Sequence, residues 1–218
     1  MSINLKKAWT EIVTANDLDR HLLEAGQAEV NARLVCRSLK IFALPVDAKI
    51  LMLGAGTGQI LDYADKNLLS QYILTLTDIN EDFLLQIRRR LAGIPSLRAT
   101  VQRDDIEESR LTGSFDGIVA ALLLEHIDWR RGIPAMIKLH PARIYLIVQR
   151  NEKESALVSR KRPLAPSIEE FAKKASPSLV SIEELNSFMG DIGYRLLEEY
   201  SESVPDGKAM VSLVFAPA

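Results

Sequence analysis

Three glycines spaced two apart, Gly54, Gly56 and Gly58, interrupt the run Ile50-Leu51-Met52-Leu53-Gly54-Ala55-Gly56-Thr57-Gly58-Gln59. The apolar half of that run reads as a buried strand, and the glycine half as a turn that opens a helix. Glycines in such a turn remove side chains where a ligand must press against the backbone. A dinucleotide fingerprint has the spacing G-x-G-x-x-G. Counted from Gly54 its third position holds Gln59, and counted from Gly56 it holds Leu61, so NAD and FAD are disfavoured. Twenty positions past Gly58, the strand-like Tyr72-Ile73-Leu74-Thr75-Leu76-Thr77 ends in Asp78. A carboxylate at the tip of the second strand of a β-α-β unit is placed to accept both ribose hydroxyls of an adenosine cofactor. The plainer role for Asp78 is a helix N-cap.

The elements that must position these residues follow from periodicity. Up to about Leu44 the apolar residues Leu18, Leu22, Leu23, Val30, Leu34, Val35 and Leu39 fall at helical spacing. Pro45 closes that region. Strands then centre near 49–53, 73–77, 98–102, 116–122 and 143–149, with helical segments between them. This alternation predicts a parallel sheet covered on both faces, with ligand-binding turns at one edge. Helices are expected around Ile168 to Ala175 and from Ser181 to Gly190, the latter opened by the capping box Ser181-Ile182-Glu183-Glu184. Tyr194 to Ser203 and Lys208 to Phe215 read as strands joined by the turn Pro205-Asp206-Gly207, and so close a pair must be antiparallel.

Taken together these segments resemble the class I methyltransferases that use S-adenosylmethionine, from about Lys49 to the C-terminus. Leu53 to Gly58 matches the first motif of that family, and Asp78-Ile79-Asn80 the acidic tip of its second strand. Asp104-Asp105-Ile106 matches its adenine-contacting pair, Phe115 to Val119 the start of its fourth strand, and Leu124-Glu125-His126-Ile127 the segment after it. The resemblance implies a Rossmann-like, doubly wound α/β fold. Its seven-stranded sheet would be mostly parallel with an antiparallel C-terminal strand, and residues 1–44 would form a helical cap on a core of residues 45–218 in a single domain. It also implies S-adenosylmethionine as cofactor, contacted by Gly54, Ala55, Gly56, Gly58, Asp78, Ile79, Asp105, Ile106 and Ala121. Asp104 is the alternative to Asp105, because the register there is ambiguous by one residue. The family usually carries an acid two positions before the first glycine, and here Met52 stands in that place.

Catalysis by such a protein consists mainly of alignment and exclusion of water, since the cofactor carries the reactivity. A base is needed only for an acceptor protonated at neutral pH. His126 is the candidate base, because histidine titrates near neutrality and follows the fourth strand; the plainer role is a histidine satisfied by a backbone carbonyl under the cap. Glu125 beside it could orient the imidazole, but is expected to face solvent. His21 is the weaker candidate, in a segment similar to the caps of small-molecule methyltransferases, and Gln27 could face the same cavity. Gln149 and Arg150 end the fifth strand. Arg160-Lys161-Arg162 would attract an anionic acceptor if it faced the pocket, but a charge run is usually a solvated face. Arg88-Arg89-Arg90 is expected on a solvated face and Trp129 in packing. Some relatives bind a divalent metal through Glu-x-x-Glu-His, but Leu122 fills the first position, so no metal is expected.

Bulk composition narrows the partners. The chain has 218 residues, 47% hydrophobic and 26% charged, with a net charge of −2. That charge leaves no general electrostatic footprint for nucleic acid. Ala120-Ala121-Leu122-Leu123 also stands where exocyclic-amine methylation of nucleic acid would require Asn/Asp-Pro-Pro-aromatic. Cys36 follows Val35 rather than the proline of a base C5-methylating nucleophile. As the single cysteine, it excludes an internal disulfide. No apolar run approaches a membrane span, and the N-terminus lacks the apolar core of a signal peptide. The expectation is a cytoplasmic enzyme that methylates an oxygen or nitrogen of a small-molecule acceptor, with no nucleic-acid or membrane partner. The other readings are an inactive cofactor-binding module and a protein methyltransferase.

Overall fold

The computed structural model describes residues 4–151, 158, 163–205 and 207–218. Seven strands form one sheet in the order β3-β2-β1-β4-β5-β7-β6. They are β1 (Lys49–Leu53), β2 (Ile73–Asp78), β3 (Arg98–Arg103), β4 (Gly117–Ala121), β5 (Arg143–Arg150), β6 (Tyr194–Ser203) and β7 (Ala209–Pro217). β1 to β5 are mutually parallel, and β7 runs antiparallel to both β5 and β6. The doubly wound α/β architecture expected from sequence is therefore present, antiparallel C-terminal strand included. Register brings the strand tips to one edge: Leu53 lies opposite Ala120, and Asp78 opposite Arg103.

The central strands are buried on both faces, which explains their near-continuous apolar runs. Ile50 and Met52 point into one core with Leu34, Val35 and Leu39, whereas Leu51 and Leu53 point into the other with Ile133 and Met136. Each fully buried Leu or Ile contributes about 1.5–3 kcal/mol relative to exposure.

Three helices precede the sheet: α1 (Leu5–Glu11), α2 (Ala15–Glu24) and α3 (Gln27–Ile41). Thr14 caps α2, and Gly26, at φ 69°, turns the chain between α2 and α3. The helix after the glycine turn is a single turn, α4 (Ile60–Tyr63). Ala64 then goes extended, and Asp65 caps a second short helix, α5 (Lys66–Leu69). Next come α6 (Glu81–Ala92), α7 (Trp129–Ile137), α8 (Pro166–Lys174) and α9 (Ile182–Asp191). α8 and α9 occupy the two late helical segments expected from periodicity.

A third apolar cluster joins the N-terminal helices to α6 and α8 through Ala8, Val13, Leu18, Phe83, Ile168 and Phe171. Polar ties reinforce it. Asn80 donates to the carbonyl of Trp9 at 2.8 Å, and Ser167 N donates to Asp17 at 2.9 Å. The N-terminal region is thus packed across the strand-tip edge of the sheet.

Candidate active site

The glycine turn is shaped by Asp78. Its carboxylate accepts from Gly56 N and from Asn80 N, both at 2.9 Å, while Ala55 N donates to Thr77 O at 2.9 Å. Asp78 is buried, and burial pushes its pKa up to about 6 against the opposing pull of those backbone donors. Asn80, not Asp78, caps α6 by accepting from Asp82 N at 2.9 Å. Asp78 is therefore free of the N-cap role and ties the first strand-tip loop to the second.

All three glycines have positive φ: 57° at Gly54, 56° at Gly56 and 76° at Gly58. Their surroundings differ. A Cβ at Gly54 would come 2.7 Å from Leu123 Cδ1, and one at Gly58 would come 2.9 Å from Ile87 Cγ1. At Gly56 its nearest neighbour would be Leu18 Cδ2 at 3.7 Å. Gly54 and Gly56 line a cavity of about 240 Å³, whereas Gly58 faces α6 and not the cavity.

That cavity gathers most of the residues singled out by sequence. Its floor includes Ala55, Asp78, Ile79, Asp104, Asp105, Ile106 and Ala121, and its wall includes His126 and Gln149. The N-terminal helices contribute Trp9, Leu18, His21, Gln27 and Asn31 from above, and α8 contributes Phe171. The two adjacent aspartates differ. Asp105 caps the 3₁₀ turn Ile106–Glu108 and forms an ion pair with Lys6 of α1. Asp104 accepts from Arg110 N at 3.1 Å through Oδ1, while its buried Oδ2 has no partner.

After β4 the backbone is strained. Leu122 adopts φ 55°, a left-handed conformation that non-glycine residues rarely take, and its N–H donates to Ile147 O at 2.8 Å. A 3₁₀ turn, Leu124–His126, follows. His126 stacks edge-on against Trp9 with ring centroids 4.9 Å apart, and its buried Nδ1 has no partner. Burial drives its pKa down to about 4, so the imidazole is neutral at physiological pH.

Glu125 departs from expectation. It is buried rather than solvated; its Oε1 accepts from Gln149 N at 2.6 Å, and its Oε2 has no partner. Burial raises its pKa to about 7. A second departure is Arg90, which leaves the solvated face expected for Arg88-Arg89-Arg90. It donates to Asp19 at 2.7 Å, to Asp62 at 3.0 Å and to the carbonyl of Thr57 at 2.7 Å. Asp19 of α2 also accepts from the Thr57 hydroxyl, and its carbonyl accepts from Gln59 Nε2 at 2.8 Å. Glycine loop, α2 and α6 are thereby joined in one network that no local pattern announced.

Trp129 packs edge-on against Phe188 in the core, as expected, and Arg150 pairs with Glu199. Arg160-Lys161-Arg162 lies outside the described residues. Among the described residues no His/Cys/Asp/Glu group could hold a metal ion, and no helix is long and apolar enough to cross a membrane.

Residues 51–140 match a family model described as a methyltransferase domain. No curated protein sequence matches the chain. Among solved structures it is similar to magnesium protoporphyrin IX methyltransferase from Synechocystis PCC 6803 with bound S-adenosylmethionine. The TM-score is 0.72 at 13% identity, covering 100% of this chain and 99% of that one. A SAM-dependent methyltransferase from Aquifex aeolicus aligns with TM-score 0.59 at 17% identity, over 92% and 96% of the two chains. The glycopeptide N-methyltransferase MtfA complexed with sinefungin aligns with TM-score 0.60 at 15% identity, over 85% and 93%. At such identities these superpositions show a shared fold.

Proposed function

We propose that this chain, whose residues 51–140 match a methyltransferase-domain model, uses S-adenosylmethionine to transfer a methyl group to an oxygen or nitrogen of a small-molecule acceptor. The observation that carries this reading is that Trp9, His21 and Phe171, from the N-terminal helices and α8, line the strand-tip cavity together with the glycine loop. A cavity of about 240 Å³ lined from both sides in this way suits a compact acceptor better than a polypeptide or a duplex. We read residues 1–44 as the cap and residues 45–218 as the core of one domain.

The residues fit the cofactor. At Gly56 a side chain would enter the cavity rather than meet packed protein, as close approach of a ligand requires. We read Asp78, a cavity-lining carboxylate at the end of β2, as the acceptor for the ribose hydroxyls, with Ile79 beside it. The unpartnered Asp104 Oδ2 is suited to the adenine amine, and Ile106 and Ala121 to the faces of the ring. Asp105, engaged by Lys6, is the weaker choice for that amine. S-adenosylmethionine supplies an electrophilic methyl group on a positively charged sulfur. The chain supplies position, dryness and a proton acceptor. His126, which lines the cavity with an unpartnered Nδ1, is our candidate for taking the proton lost by an acceptor hydroxyl or amine. Trp9, Phe171 and the N-terminal helices exclude water.

Titration calorimetry with S-adenosylmethionine, followed by transfer of a labelled methyl group over a panel of small alcohols, phenols and amines, tests the reading. Cofactor binding with product from a hydroxyl or amine is expected. Cofactor binding with label appearing only in protein would replace the small acceptor by a polypeptide one.

A further inference from the structure

Two buried amide oxygens in the cavity lack partners. Asn31 on α3 is 7% exposed, and its Oδ1 accepts from nothing; Gln59, just past the glycine loop, is also 7% exposed, and its Oε1 accepts from nothing. Both residues line the same cavity as Gly54 and Gly56. The orientation of Gln59 is fixed chemically. Its Nε2 donates to the carbonyl of Asp19 at 2.8 Å, and a flipped amide would set two oxygens against each other there. Leaving a buried acceptor unsatisfied is costly, and the folded chain gains nothing from it. The β1 residues lining the cavity are Met52 and Leu53, whose side chains bring neither charge nor a strong acceptor.

Resting on the cofactor reading above, we infer that Asn31 and Gln59 bind the ammonium of the amino-acid end of S-adenosylmethionine through these two oxygens. An ammonium carries three N–H donors and no acceptor, so it can satisfy both oxygens at once. Hydrogen bonds to a charged donor are also stronger than neutral ones. Asn31 comes from the N-terminal helices and Gln59 from the core. One ligand group therefore bridges the two, and Gln59 is itself tied to α2 through Asp19.

S-adenosylhomocysteine and 5′-methylthioadenosine separate this role from general pocket damage, because the second lacks the amino-acid end. Asn31→Leu and Gln59→Met preserve approximate volume while removing the oxygen. Calorimetry should show S-adenosylhomocysteine bound roughly tenfold to a hundredfold more weakly by each variant, with 5′-methylthioadenosine affinity unchanged. Thermal unfolding of ligand-free Asn31→Leu should occur at the wild-type temperature or above it, since an unsatisfied buried oxygen has been replaced by apolar surface. Equal losses for both ligands, or no loss for either, would overturn the assignment while leaving the cofactor reading intact. A wild-type protein that binds neither ligand would overturn the cofactor reading, and this assignment with it.

Discussion

Glu125 and His126 are consecutive buried residues whose ionisation burial shifts in opposite directions, the carboxyl up to about 7 and the imidazole down to about 4. Both are consequently neutral between those two values. Each leaves one atom without a partner, Oε2 of Glu125 and Nδ1 of His126. The turn after β4 therefore presents two uncharged, proton-exchanging groups at the wall of the cavity.

The pair has a linkage signature. Glu125 has a folded pKa above its ordinary 4.5, so its stabilising contribution is full below 4.5 and is lost as pH rises to about 7. His126 has a folded pKa below its ordinary 6.5, so its contribution is full above 6.5 and is lost as pH falls to about 4. Between 4.5 and 6.5 the folded pair holds its proton on Glu125 and the unfolded pair on His126, so the two slopes cancel. Relative to wild type, Glu125→Gln should gain a stability that rises with pH across that window. His126→Phe should show the opposite slope. Denaturant unfolding at a series of pH values measures both, and parallel wild-type and variant curves would refute the shifts.

The glycines should separate by phenotype. Every substitution there meets the positive-φ penalty of about 1–2 kcal/mol. Gly58→Ala adds the Ile87 contact and should be less stable than Gly56→Ala, with little direct effect on ligand. Gly56→Val should keep most of the fold and lose S-adenosylmethionine binding. Retained binding in a folded Gly56→Val protein would place the cofactor elsewhere.

Asp104 and Asp105 should also divide. Asp104→Ala is expected to weaken S-adenosylhomocysteine by about 1.5–3 kcal/mol, as for a lost hydrogen bond involving a charged group, and Asp78→Ala by a similar amount. Asp105→Ala should instead loosen α1 by releasing Lys6, seen as faster amide exchange over Leu5–Glu11. Calorimetry showing the larger affinity loss at Asp105 would exchange the two roles.

Arg90→Ala removes the bonds that join α6 to Asp19 and to the glycine loop. Amide exchange should then accelerate across residues 17–29 and 54–58 together. Adding S-adenosylhomocysteine to wild type should slow both segments. Protection confined to the glycine loop would argue against an N-terminal cap that closes over ligand, and would remove His21 from the site.

The strands, their parallel pairing and the placement of the glycine turn were legible in the sequence, because they depend on local periodicity and backbone freedom, whereas the strand order came from the tertiary structure. Buried parallel strands need unbroken apolar runs, and a turn with three positive φ angles needs glycine. Even the antiparallel β6–β7 pair follows from the shortness of its connection. Whether a polar side chain near that edge points to water or into the cavity was decided by tertiary packing. Glu125 is buried because Gln149 N, from β5, lies within reach of its carboxylate. Arg90 is drawn inward by Asp19 and Asp62, from two different segments. Asn31 sits four residues past Gln27 on the buried face of α3, where Ser38 is also polar, and that polar spacing was the readable signal of Asn31. Sequence periodicity determines which residues share a face. What that face meets depends on chain segments far away in sequence, so the charge state and partners of the site became readable only once those segments were packed together.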